Sequence, residues 1–271
     1  MASSENTAPP SDLSENAEGG KSIAPAWHTA VLLAGIALLS FGGAKELSGP
    51  HAAINRIETY ALTGITDVLM FAWVWFGLRL RRVSIRSILG ENHGGFKTVA
   101  MDLGIALVFW MGALFVLGSL GLIWTAADAA IHHRPIIPSG KGMTPDATEQ
   151  HTVQTLTALA PETAKEVAAW ILLCMMAGFT EEVVFRGYLQ TQFTAWGHGA
   201  AWAGVVFSAL MFGAGHAYQG ARNMVLLAVF GVLFSLLAIY RRSLRAGIFA
   251  HVWQDMFAGL MLALLRSWHR I

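Results

Sequence analysis

Seven apolar segments, at about 27–43, 60–78, 99–124, 164–193, 200–218, 224–240 and 246–265, restrict this chain to few folds. Several approach the ~20 residues that a helix needs to cross the hydrocarbon of a bilayer. A backbone in lipid must satisfy its own hydrogen bonds, so helix is the expected state of each segment. A transmembrane barrel would instead show repeated alternating strands of about 10 residues, and no such pattern is present. The first and sixth segments are short and are expected to be tilted, re-entrant or mis-bounded. Charge supports the same reading: 13% of the 271 residues are charged, against about 25% in a soluble domain. The predicted fold is an all-α, polytopic helical membrane protein with about seven (six to eight) transmembrane helices.

Residues 1–26 are rich in Ser, Glu, Asn and Pro, a composition that buries too little apolar surface to fold. They lack a basic start followed directly by an apolar stretch, so an uncleaved first span is expected. A disordered tail over 1–26, helices and an outer loop over 27–160, and a helical region over 161–271 make up the predicted organisation. Arg79, Arg81, Arg82, Arg86 and Lys97 lie between the second and third segments, and Arg241, Arg242 and Arg245 between the sixth and seventh. Excess Lys and Arg mark cytoplasmic loops. With seven spans, both clusters agree in parity with a cytoplasmic N-terminus and an outer loop at 125–163. In that loop His132 and His133 are read as a solvated pair, and 150–160 as a short interfacial helix. The net charge of +1 gives no footprint for nucleic acid. Cys174, the only cysteine, excludes an internal disulfide and reads as a small packing residue.

Three charges interrupt the fourth segment. In ILLCMMAGFTEEVVFRGYLQ stand Glu181, Glu182 and Arg186, each costing ~2.5–3.5 kcal/mol at a helix centre on insertion scales. Such groups face a protein interior or a wet cavity, and they carry function by default. Glu182 and Arg186 are four apart and can pair. Glu181 is turned about 100° from Glu182, points elsewhere and finds no partner in its own helix. A carboxylate so placed suits proton transfer. The next segment ends MFGAGHAYQG, with Phe212 and His216 on one face and two glycines that permit close approach. The last reads IFAHVWQDMFAGLML, with His251 and Asp255 on one face. There Asp255 can accept the imidazole N–H and fix its tautomer, or both groups can address one ligand.

One carboxylate and two histidines on three apolar helices are the groups needed to activate water. They can do so around a metal held by His216, His251 and Glu181. They can equally do so without metal, with Glu as base and His as proton partner or oxyanion donor. Of the other acids, Asp102 reads as interfacial, and Asp67 as capping, pairing or lining a cavity; neither joins the candidate site. One conflict follows from the orientation. It puts Glu181 toward the inner face and His216 toward the outer end of its segment, whereas joint action needs equal depth. A long tilted segment or a re-entrant one would reconcile them.

At these residues the chain resembles the CAAX protease and bacteriocin-processing family, also called Abi. That family is marked in order by Glu-Glu-x-x-x-Arg, Phe-x-x-x-His and His-x-x-x-Asn/Asp. The counterparts here are EEVVFR (Glu181–Arg186), FGAGH (Phe212–His216) and HVWQD (His251–Asp255); the resemblance covers about residues 164–265, and the N-terminal 160 residues match only as generic membrane spans. The resemblance implies a helical intramembrane endopeptidase acting on membrane-associated protein or peptide substrates, prenylated CAAX proteins among them. Bacterial members are linked to bacteriocin self-immunity, and a bacterial cell membrane is the expected location. It further implies that Glu181 and His216 activate water and that His251 and Asp255 stabilise the oxyanion or orient the water. Glu182 and Arg186 would support the site. No cofactor is expected on the favoured metal-free mechanism, with a divalent metal such as zinc as the alternative. Asp255 stands where eukaryotic prenyl proteases have Asn. An ionised Asp cannot donate to an oxyanion, which favours histidine orientation or metal ligation for Asp255. A non-catalytic membrane scaffold and a proton- or metal-coupled transporter remain open alternatives.

Overall fold

The structure, a computed structural model, describes residues 21–47, 55–90, 94–133 and 156–268, with side chains of 43–47 excepted. Among these residues there is no strand, and one isolated bridge joins Gly90 to Ser243. The helices are α1 (Ala26–Leu47), α2 (Arg56–Leu80), the short α3 (Ile85–Leu89), α4 (Phe96–Ile131), α5 (Ala164–Trp196), α6 (Ala201–Gly215), α7 (Gly220–Arg241) and α8 (Arg245–Ser267). All seven apolar segments are helices. Five are long and apolar enough to cross a membrane: α2, α4, α5, α7 and α8. The short apolar ones are α1, over Ala26–Gly42, and α6. The expectation that the sixth segment is short is therefore corrected. Its helix, α7, has 22 residues, because Gly220–Asn223, with the polar Arg222 and Asn223, continue the helix N-terminal to the apolar run.

Helix α4 runs seven residues into the expected outer loop and reaches 36 residues, about 54 Å at 1.5 Å per residue. That exceeds a ~30 Å hydrocarbon layer, so α4 must tilt or protrude. His132 caps its end beside Asp128, at 3.0 Å. Residues 156–159 are helical, while the rest of the expected 150–160 helix lies outside the described residues, as does the tail up to residue 20.

Helix α5 starts from a capping box in which Thr163 and Glu166 satisfy each other's backbone. It runs through the middle of the bundle between α2 and α8. Tyr60 meets Trp170 at 5.3 Å, Phe71 meets Phe179 at 5.6 Å, and Gly178 lies against Val252. At one face of the bundle the α2–α4 connection meets the α7–α8 turn: Leu244 N–H donates to Leu89 O at 3.0 Å. Gly90 has φ of 84°, and a side chain there would run into the Arg242 carbonyl, so only glycine allows this seam. The segment leading into α1 joins the same face, where Gln192 near the end of α5 bonds the backbone of Ile23 and Ala24. At the opposite face Arg56 reaches Glu162 at 2.8 Å, and Arg266 also pairs with Glu162. Both arginine clusters and the start of α1 thus share one face.

Two polar seams tie helices together inside the apolar exterior. Asp102, 1% exposed, accepts from Arg241 at 2.7 Å and from Arg245, joining α4 to α7 and α8. It lies at the arginine-rich end, as expected, but buried rather than facing water. His28 bridges α1 to α5 and α2 through Tyr188 Oη at 2.8 Å and the Trp73 carbonyl at 2.9 Å. Large side chains such as Leu38, Val108, Phe115 and Leu122 point outward, which suits a surface in contact with lipid.

Candidate active site

The acidic end of EEVVFRGY marks a change in the helix itself. From Glu182 to Leu189, α5 opens into a π-helix, closed by the Gln190 N–H bonding to the Phe185 carbonyl five residues back. Insertions of this type often mark functional sites. Every side chain in the π segment is buried.

His251 on α8 is the hub. Its Nδ1 donates to Glu182 Oε1 at 3.0 Å; its Nε2 lies 3.5 Å from Glu181 Oε2 and 3.8 Å from Asp255 Oδ2. Two expectations are corrected here. Glu181 and Glu182 do not point to unrelated places. They straddle one imidazole, whose two nitrogens lie on different edges, so carboxylates about 100° apart can face one ring each on its own side. The imidazole N–H is accepted by Glu182, not Asp255. Four-residue spacing brings Asp255 to the right face of α8, but the facing helix brings Glu182 closer.

The two glutamates differ in access. The Glu182 side chain is 1% exposed and that of Glu181 19%. Glu182 Oε1 also lies 2.9 Å from Arg186 Nη1, the expected pair. The approach is an ion pair without the alignment of a hydrogen bond, since no guanidinium nitrogen of Arg186 has a hydrogen-bond partner. The cation is held instead between aromatic faces, 4.3 Å from the Phe212 ring and 4.9 Å from Phe234. Gly247 leaves room for Glu182, because a Cβ there would lie 3.0 Å from Oε2.

His216 ends α6 and donates from Nδ1 to the Phe212 carbonyl at 2.8 Å, which leaves Nε2 as its exchangeable nitrogen. Its ring packs on Phe212 at 4.8 Å, and Phe212 packs on His251 at 5.9 Å. Both imidazoles therefore flank one phenyl ring. The depth conflict is resolved by length. Ser208 of α6 donates to the Phe185 carbonyl at 2.6 Å, and α6, only 15 residues long, stops inside the bundle. Its end meets the level of Glu181 rather than the far membrane face.

The structure thus gathers Glu181, Glu182, Arg186, His251 and Asp255 directly, and His216 across Phe212. Among the described residues, no three His, Cys, Asp or Glu side chains are grouped so as to hold one ion. Asp67, left out of the site by sequence, lies next to it. It is 3% exposed, its Oδ2 has no hydrogen-bond partner, and it is within electrostatic reach of Glu181, Asp255 and His251. An isolated acid in a span was the available signal. Tyr218, within reach of Glu181 and Asp255, gave none.

A bundle of apolar helices thus buries acids and imidazoles around one histidine. In the family comparison, residues 163–257 match the family described as Type II CAAX prenyl endopeptidase Rce1-like. All three motifs fall inside it; the helices α1–α4 lie outside. No curated protein and no solved structure matches the chain.

Proposed function

We propose that this protein hydrolyses peptide bonds of membrane-associated, prenylated or peptide substrates with a water activated by Glu181 and His216. The observation that carries the reading is the contrast between the two adjacent glutamates. Glu182 is sealed, 1% exposed, and engaged through Oε1 by both His251 and Arg186, whereas the Glu181 side chain is 19% exposed and lies 3.5 Å from His251 Nε2. A water held between Glu181 and His216 Nε2 would give its proton to Glu181 as its oxygen attacks the scissile carbonyl. The same proton would pass to the leaving amine as the C–N bond breaks. Glu182 fixes His251 by accepting from Nδ1, and in the imidazolium form the remaining Nε2–H would donate to the developing oxyanion. Asp255, with Oδ2 3.8 Å from the same Nε2, orients that imidazole and the water. The arginine-rich face would be cytoplasmic.

The test is cleavage of an internally quenched, farnesylated CAAX peptide by the purified protein in detergent. Glu181→Gln should lower the rate by about 10²–10⁴-fold, the usual weight of a general base, without altering thermal unfolding. Equal rates for wild type and Glu181→Gln would sink the proposal.

A further inference from the structure

We propose that Ser40 of α1, outside the family segment, is a positioning residue that sets the place of His216; its role in hydrolysis rests on the reading above. Helix α6 ends within the bundle, and His216 sits at that end, between the last helical turn and the 3₁₀ turn Ala217–Gln219. A helix end leaves backbone groups unpaired, and hydrocarbon offers them no water. Ser40 meets this need on both sides of His216. Its hydroxyl donates to the Ala214 carbonyl at 2.9 Å and accepts from the Ala217 N–H at 3.1 Å. The residue is 2% exposed. One turn earlier on α1, Ile36 lies against Gly215, where a Cβ would meet its Cγ2 at 3.3 Å. The backbone flanking His216 is therefore gripped by α1 through one hydroxyl and one methyl.

With Nδ1 of His216 committed to the Phe212 carbonyl, the direction of Nε2 is set by the backbone that Ser40 holds. Removing the hydroxyl takes one hydrogen bond from each side of the turn. Small displacements of a reacting group can cost about 10²-fold in rate. Nothing places Ser40 in contact with substrate, so its effect must pass through His216.

The experiment compares Ser40→Ala and Ser40→Thr in the purified full-length protein, using the farnesylated CAAX peptide and ¹⁵N-histidine NMR. The His216 resonance is assigned by its loss in His216→Gln. Ser40→Ala should shift or broaden that resonance and lower kcat about 10- to 100-fold, with KM little changed. Ser40→Thr, which keeps the hydroxyl, should recover both. Adding Ser40→Ala to His216→Ala should slow the enzyme no further, as expected when one residue acts through another. An unchanged His216 resonance in Ser40→Ala, or full additivity of the two substitutions, overturns the proposal. If wild type cleaves no peptide, the peptidase reading fails while the resonance still decides whether Ser40 holds His216.

Discussion

At the residue scale, Glu182 is the side chain with most obligations. One of its oxygens serves both the Arg186 ion pair and the His251 hydrogen bond. Removing Arg186 strands a buried carboxylate, and breaking a buried pair from one side costs about 3–5 kcal/mol. Arg186→Ala should therefore reduce folded yield as well as activity, read by size-exclusion recovery and thermal unfolding in detergent. An inactive variant as stable as wild type would move Arg186 into substrate binding or chemistry. Gly247 tests the same carboxylate from its other side. Gly247→Ala puts a methyl 3.0 Å from Oε2, and the displaced Glu182 should turn His251. About a tenfold loss of peptidase rate is expected, since geometric error at a site is costly; wild-type activity in that variant would show that Glu182 can move without consequence.

Helices α1 and α6 are short apolar elements for a reason visible in their contacts. α6 stops inside the bundle to bring His216 to the depth of Glu181. α1 presents His28, Leu32, Ile36 and Ser40, four residues apart on one buried face, with polar groups at each end of the stripe. His28 anchors it to α5, and Ser40 anchors it to the end of α6. The longer helices are fixed differently. Asp102 joins α4 to α7 and α8 through two arginines, each 19% exposed at its side chain. Asp102→Ala leaves those cations without their shared acid, so a lower unfolding temperature is expected with the peptide-cleavage rate per folded molecule little changed. A large loss of rate at unchanged stability would show that the seam governs the site and not the scaffold.

For the whole molecule, the face that carries Arg82 and Arg242 should be opposite the one that carries Glu162. Single cysteines at these positions, in a Cys174→Ser background, should react with an impermeant thiol reagent from opposite sides of sealed vesicles. Labelling of all three from one side would contradict the bundle. Hydrolysis is also expected to survive exhaustive chelation. Its loss on chelation, with recovery on stoichiometric zinc and about one metal found per chain, would replace the metal-free mechanism with one of zinc type.

The number of apolar helices, their approximate limits, the shared face of the two arginine clusters and the expensive intramembrane residues were legible along the chain. Each is a local property: apolar length, loop charge, or the cost of a charge in hydrocarbon. The Glu182–Arg186 pair was equally legible, because four-residue spacing brings two side chains together within one helix. The partner of His251 was not. Asp255 had the spacing, yet Glu182 takes the imidazole N–H because α8 packs against α5 at Gly178 and presents His251 to it. The π-helix, the halt of α6 at mid-depth and the grip of Ser40 on His216 likewise depend on helices distant in sequence. The residues were named by their local cost; which of them meet was decided only when the helices packed.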